Sequence, residues 1–217
     1  MLIFFLSLLA PVATALIKIL PLGDSITYGC GSSSALPPKW DVSCGPDAGG
    51  YRAPLYHALR DTGFKDASGN ATFQMVGNQN SGPSDIPVSQ RSHEGHPGWT
   101  IPQIIGIQQK WMPLSPDFIL VHLATNDCGQ GHPAEEILAN MTTLLANIKV
   151  GLPSATTIVA SVINFGANFT PPGCTGYNAG LPALVAAAAQ GGQKVVFNDM
   201  NRLSGWCQTT QAGFPCT

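Results

Sequence analysis

The sequence predicts an α/β protein: a three-layer α/β/α sandwich around a five-stranded parallel sheet with flavodoxin-like strand order. Three observations point there. Apolar runs of strand length alternate with helical patterns along the chain, which implies parallel strands joined by helices on both faces. The first run, Ile17 to Leu22, stops abruptly at Gly23-Asp24-Ser25 and presents a serine where a strand ends. A later run, Phe118 to Leu123, stops at Ala124-Thr125-Asn126-Asp127. Open α/β sheets bind ligands outside the carboxyl ends of their strands, so two polar turns at two strand ends can share one crevice.

Taken in order, the first strand is followed by a Gly/Ser/Pro-rich loop from Ser32 to Gly49. Tyr51 to Thr62 has Leu55, Ala58 and Leu59 on one helical face and Gly63 as its stop. Ala71 to Val76 predicts the second strand, closed by Gly77-Asn78, and a second long loop holds His93-Glu94-Gly95-His96-Pro97-Gly98-Trp99. A helix is expected from Thr100, with Thr100 as cap and Pro102 in the first turn. Phe118 to Leu123 is the third strand, apolar throughout as a strand buried on both faces would be. Pro133 to Val150 is a helix whose first-turn Glu135 and Glu136 favour its dipole. Thr156 to Ile163, Leu181 to Ala189 and Lys194 to Phe197 complete the pattern as strand, helix and fifth strand.

The chain has 217 residues, ten Lys and Arg, twelve Asp and Glu, and a net charge of −2. That length suits one domain, and the charge pattern has no basic stripe for nucleic acid and no charged tail. Residues 1–15 read as a signal peptide: Met1 to Leu9 is almost wholly apolar, Pro11 breaks the run, and Ala13-Thr14-Ala15 supplies a small-x-small cleavage pattern. The run is too short to span a bilayer, and no later run is long enough. Six cysteines, at 30, 44, 128, 174, 207 and 216, fit an oxidising compartment. They allow fifteen pairings; Cys30 with Cys44 is preferred, because both lie in one loop that needs pinning. Asn-x-Thr sequons at Asn70, Asn140 and Asn168 agree with a secreted, extracellular glycoprotein.

Three blocks are similar to a known family. Leu20-Pro21-Leu22-Gly23-Asp24-Ser25-Ile26-Thr27-Tyr28-Gly29 and Thr125-Asn126-Asp127, with a glycine in the loop after the second strand, resemble the SGNH (GDSL-type) hydrolases. Gly50-Tyr51-Arg52-Ala53-Pro54-Leu55 and His93 to Ile101 resemble, more narrowly, secreted carbohydrate esterases of family 3, the acetylxylan esterases. The likeness runs from about Ile17 to about Asn201 and implies one esterase domain over residues 16–217. It implies Ser25 as nucleophile, with the Ser25 N–H, the Gly98 N–H and the Asn126 side-chain amide as oxyanion donors. It implies no cofactor and no metal, and as substrate an acetylated carbohydrate or other small ester. A monomer is expected.

Plainer readings exist for each residue. Ser25 can cap a turn, Gly98 can serve backbone conformation, and Asn126-Asp127 can cap the next segment. His93 and His96 lack a third metal ligand and are expected to pack in a loop beside the crevice. His122, inside an apolar strand, reads as a satisfied core histidine; His57 and His132 read as surface residues. Gly29-Cys30-Gly31 has neither the third glycine nor the Lys-Ser/Thr of a phosphate loop.

Two departures from the family pattern matter. Ala124 stands where glycine is usual, and at most a modest shift of the Asn126 backbone is expected. The family's catalytic base and its orienting acid come as Asp-x-x-His after the fifth strand. Here Asn198-Asp199-Met200-Asn201-Arg202 puts an arginine in that position, and no histidine follows His132. A guanidinium cannot serve as a base at neutral pH. No helical pattern follows Asn201, so the final helix is expected to be missing and apolar surface of the fifth strand to be left uncovered. The expected function is a secreted serine esterase that deacetylates a xylan-like polysaccharide, impaired by the lack of a base. The alternatives are an inactive relative that binds acetylated glycans, or a truncated gene product.

Overall fold

Strand β1 (Ile17–Gly23) occupies the middle of the sheet and is buried from Ile19 onward. The computed structural model describes residues 16–30, 44–163 and 172–201. Along them follow α1 (Ser25–Tyr28), α2 (Arg52–Asp61), β2 (Phe73–Met75), β3 (Gln79–Asn80) and β4 (Ser92–Gly95). Then come α3 (Ile101–Gly106), α4 (Gln108–Trp111), β5 (Phe118–His122), α5 (Thr125–Gly129) and α6 (Ala134–Gly151). β6 (Thr156–Ala160), α7 (Pro172–Gln190) and β7 (Val195–Asn198) complete the series.

The five expected strands are all present and stand in the order β2-β1-β5-β6-β7, every pair parallel, which is the flavodoxin-like arrangement. The count of five is corrected to seven. β4 pairs parallel with the upper half of β1, Leu22 opposite Glu94 and Gly23 opposite Gly95, while β2 pairs with the lower half, Ile17 to Ile19. β3 adds antiparallel to β4, so the sheet is not wholly parallel. The physical reason is that β3 and β4 are short and polar. Their side chains are satisfied by distant partners, so they show no apolar run.

The helices cover the sheet on both faces. Leu20, Leu22, Ile119, Val121 and Val159 pack against Ile104 of α3, Leu144 and Ile148 of α6 and Leu181 of α7. On the opposite face Ile19, Phe73 and Met75 meet Tyr56 of α2. Each such side chain, once buried, contributes on the order of 1.5–3 kcal/mol. α7 is nine residues longer at its start than the helical pattern from Leu181 suggested. Glycines obscured that start, and they are there for packing: a Cβ on Gly180 would lie 2.6 Å from Leu138 of α6, and one on Gly176 2.6 Å from Ala134.

Among the described residues no further strand pairs with the outer edge of β2. Instead the Gln90 side chain accepts from the Met75 N–H (3.0 Å) and donates to the Phe73 carbonyl (2.7 Å). Across the sheet, register places Pro21, Leu120, Ile158 and Val196 in one row on the face away from α6 and α7. Pro21 is buried, Leu120 and Ile158 are half-buried, and Val196 is 53 % exposed. The expectation that the final helix is missing concerns residues 202–217, which lie outside the described residues. With this row thinning toward β7, the protein is expected to bind a hydrophobic dye in its native state, and Val196→Lys to reduce that binding. A sharp unfolding transition with no native dye fluorescence would count against an open patch.

The expected bridge between Cys30 and Cys44 is present, and a second joins Cys128 to Cys174. Cys207 and Cys216 lie outside the described residues, as do the signal-peptide reading of 1–15 and the sequon at Asn168. Among the described residues no helix is long and apolar enough to cross a membrane.

Candidate active site

β1 ends at Gly23, which is level with Gly95 of β4 on one side and His122 of β5 on the other. All three strands run the same way, so the turns leaving them meet at one edge of the sheet. Ser25, Gly98 and Asn126 lie two, three and four residues past those strand ends. The structure therefore brings the three predicted residues to neighbouring positions on the carboxyl edge.

The first turn is tight because Gly23 has no side chain: a Cβ there would fall 2.2 Å from the Thr27 hydroxyl and 2.4 Å from the His122 carbonyl. The residues from Ser25 to Tyr28 form the one-turn helix α1. Asp24 caps it, its Oδ1 accepting from the Ile26 N–H at 2.9 Å, and Gly29 ends it in the left-handed conformation. Ser25 itself is half-buried. The Cys30–Cys44 bridge attaches directly after this turn.

Gly98 is exposed, with φ of +81°, where a side chain is strained, and a Cβ added there meets no protein atom within 4 Å. The glycine thus meets a backbone requirement, and the space beside its Cα is open. The turn is held from behind: the His96 N–H donates to the Gly23 carbonyl at 3.0 Å, and the His96 and Trp99 rings stack at 4.2 Å.

Asn126 is half-buried, and its amide Nδ2 donates to the Trp99 carbonyl at 2.8 Å, tying the third turn to the second. One amide hydrogen is used in this way, and the other has no acceptor among the described residues. Ala124 has φ of +87°, so the alanine occupies a backbone position that glycine takes without strain. Asp127 does act as a cap, but of an earlier helix: both carboxylate oxygens accept from the Ile101 N–H at 3.2 Å, beside the Thr100/Gln103 capping box of α3. The Cys128–Cys174 bridge then fastens α5 to α7.

The histidines need correction. His93 lies in β4, not in a loop, and is fully buried. Its Nδ1 accepts from the Gly95 N–H at 2.9 Å, so the proton is on Nε2 and is directed to Ser81 Oγ, also 2.9 Å away. Burial, helped by the Arg52 charge, pushes the His93 pKa down to about 3. His96 directly follows β4, buried, with Nε2 paired to Glu94 Oε2 at 2.8 Å. Glu94, which no periodicity or motif marks in the sequence, is fully buried and also accepts from the Asn78 backbone and side chain. His122 is a core residue but not a satisfied one: neither ring nitrogen has a partner, and burial pushes its pKa down to about 4. His57 and His132 are surface residues as expected, paired with Asp85 and Glu136, each at 2.9 Å. Past β7, the Asp199 carboxylate accepts from the Ser161 hydroxyl at 3.2 Å, and Arg202 lies outside the described residues.

Comparison with known proteins agrees with this layout. Residues 22–214 match the model of the GDSL-like Lipase/Acylhydrolase family. A Clostridium thermocellum family 3 carbohydrate esterase superposes with a TM-score of 0.68 at 31 % identity, over 86 % of this chain and 79 % of that one. A family 3 carbohydrate esterase from Talaromyces cellulolyticus shares the fold, with a TM-score of 0.66 at 22 % identity over 88 % of this chain and 82 % of that one. A multidomain esterase of Ruminococcus flavefaciens is 30 % identical over 140 residues, 55 % of this chain, and the chain spans only 16 % of that protein's length. A serine turn, a glycine turn and an asparagine turn on three adjacent parallel strands, in a chain matched over nearly its whole length, place this protein in the GDSL-like lipase/acylhydrolase family of carboxylic ester hydrolases.

Proposed function

We propose that the protein is a secreted esterase that removes acetyl groups from a xylan-like polysaccharide through an acyl-Ser25 intermediate. The Ser25 hydroxyl attacks the acetyl carbonyl, and the developing oxyanion takes hydrogen bonds from the Ser25 N–H, the Gly98 N–H and the free hydrogen of Asn126 Nδ2. The observation that carries this reading is the meeting of these three turns on β4, β1 and β5, with open space beside the Gly98 Cα and the Asn126 amide anchored by Trp99. The likeness to family 3 carbohydrate esterases supports the acetyl and polysaccharide part. The apolar start of the chain and the two disulfides support secretion.

Attack by Ser25 needs a base, and the five histidines of the chain offer none in the usual place. The 217-residue polypeptide is therefore read as an impaired catalyst with a formed oxyanion site. The test uses a chain extended by an Asp-x-x-His helix after β7. There, Asn126→Ala is expected to lower acetyl release about 10²–10³-fold, the usual cost of one oxyanion donor. An unchanged rate would remove Asn126 from the site. The glycan-binding alternative predicts instead that acetylated xylan binds tightly while the extended chain stays inactive.

A further inference from the structure

The buried cluster beneath the Ser25 turn is centred on Arg52, the first residue of α2. Its side chain is fully buried, and it takes part in none of the ion pairs among the described residues. Its five N–H groups are spent on six acceptors. Nε donates to the Thr27 carbonyl and Nη2 to the Tyr28 carbonyl, both at 2.8 Å, so two consecutive carbonyls of α1 are held. Nη2 also reaches the Ala48 carbonyl (2.8 Å) and Ser81 Oγ (3.1 Å). Nη1 reaches the Ser81 carbonyl (2.8 Å) and the Arg91 carbonyl (3.2 Å). Through Ser81 Oγ the cluster continues to His93, and through His93 to the N–H of Gly95, where β4 ends.

A buried guanidinium without a carboxylate partner is costly, and here only carbonyl and hydroxyl dipoles offset the cost. Burial accordingly lowers its pKa to about 10, which leaves it charged at neutral pH. A residue serving only to pack α2 against the sheet would be apolar, as Tyr56, one turn later and buried, largely is. The planar fork is needed because the acceptors come from four separate segments: α1, the approach to α2, the residue after β3 and the residue before β4. A lysine supplies the charge but cannot reach both sides at once.

From this geometry we infer that Arg52 is a positioning residue that holds the Ser25 turn and the Gly98 strand in fixed relation. The inference rests on the esterase reading of Ser25. Arg52 acts through the Thr27 and Tyr28 carbonyls and does not touch the reacting atoms.

The test compares the 217-residue protein with Arg52→Lys, Arg52→Met and Ser25→Ala. One readout is amide exchange at Tyr28, Gly29 and Cys30, whose N–H groups bond to Asp24 and Ser25 carbonyls, against Leu144 and Leu145 in α6. The other is the affinity for phenylboronic acid, in which a boron–oxygen bond forms to the Ser25 hydroxyl, its proton leaves to water, and the anionic adduct occupies the oxyanion site. For both Arg52 variants, exchange at residues 28–30 is expected to rise at least tenfold with α6 unchanged, and boronate affinity to fall at least tenfold. Equal acceleration in α6, or an Arg52→Lys protein indistinguishable from the parent, would overturn the inference. If Arg52→Met does not fold, Ser81→Ala, which removes the hydroxyl that joins Arg52 Nη2 and the Ala48 carbonyl to His93 while leaving the Arg52 bonds to the α1 carbonyls in place, replaces it and is expected to accelerate exchange at Gly95. Equal boronate binding by the parent and Ser25→Ala would instead sink the esterase reading, and the exchange data would then decide Arg52 alone.

Discussion

Purified as 217 residues, the protein is expected to release acetate from acetylated xylan at no more than roughly 10³–10⁴ over the uncatalysed rate, and Ser25→Ala is expected to leave that rate nearly unchanged. Oxyanion donors and binding alone typically supply that residue of catalysis. Losing the base of a serine hydrolase costs about as much as losing the serine, on the order of 10⁶ in turnover, because the groups act as a unit. The five histidines explain the expectation one by one. His57 and His132 hold exposed carboxylates on the helical surface. His93 has both nitrogens committed and a pKa of about 3, so it neither swings nor accepts a proton at neutral pH. His122 is enclosed in the core at the end of β5. His96 is the nearest to Gly98 in sequence, yet it is fixed by Glu94 and stacked on Trp99. Adding an Asp-x-x-His helix is expected to raise the rate by several orders of magnitude and make it depend on Ser25. Ordinary turnover by the unmodified chain, abolished in Ser25→Ala, would show that one of these histidines does act as the base.

Asp24→Asn is expected to stabilise the protein by about 3 kcal/mol above pH 7 and to have little effect near pH 4. Asp24 is fully buried, and the Ile26 N–H and the Thr125 hydroxyl only partly offset the loss of water around its carboxylate. Burial pushes its pKa up to about 6 from an ordinary 3.8, against the opposing pull of the Ile26 N–H. The folded state therefore holds this proton more tightly than the unfolded one. The resulting stabilisation is complete below about pH 4 and is lost as pH rises through 6. Two pH units at about 1.36 kcal/mol each give the figure. Asparagine keeps an oxygen for the Ile26 N–H and never ionises. His93 and His122 act in the opposite direction: their depressed pKa values favour the folded state above about 6.5, and that contribution is lost on acidification. The parent protein is thus squeezed from both sides, and the difference between parent and Asp24→Asn isolates the aspartate. Urea unfolding at pH 4 and pH 8 is the measurement; a difference independent of pH would refute the argument.

The parts of this structure that were legible in the sequence are those with a local cause. Ile17 to Leu22 and Phe118 to Leu123 declare central strands because a strand buried on both faces is apolar at nearly every position, and only Lys18 and His122 interrupt these runs. Thr100 and Pro102 announce the start of α3 by local chemistry alone, and the structure adds Gln103 as the other half of a capping box. The two serine- and asparagine-bearing turns were legible because each interrupts such a run abruptly. What stayed hidden has distant causes. β4 looks like loop because Ser92-His93-Glu94-Gly95 owes its burial to Ser81 and Asn78, which supply the missing hydrogen bonds. The first half of α7 looks like a breaker because its glycines answer to the surface of α6. Arg52 was visible only as a letter in a familiar block; its role depends on carbonyls from four segments that periodicity cannot bring together.

The Gln90 side chain along β2 has a consequence for how these molecules behave toward one another. A strand at the edge of a sheet offers its unpaired backbone groups as a template for another chain, and such edges seed aggregation. On β2 the groups facing outward at Phe73 and Met75 are already taken by one amide, which donates and accepts as an eighth strand would. Along β2 the sheet edge is closed to strand addition without the length, the twist or the apolar surface that a real strand would bring with it.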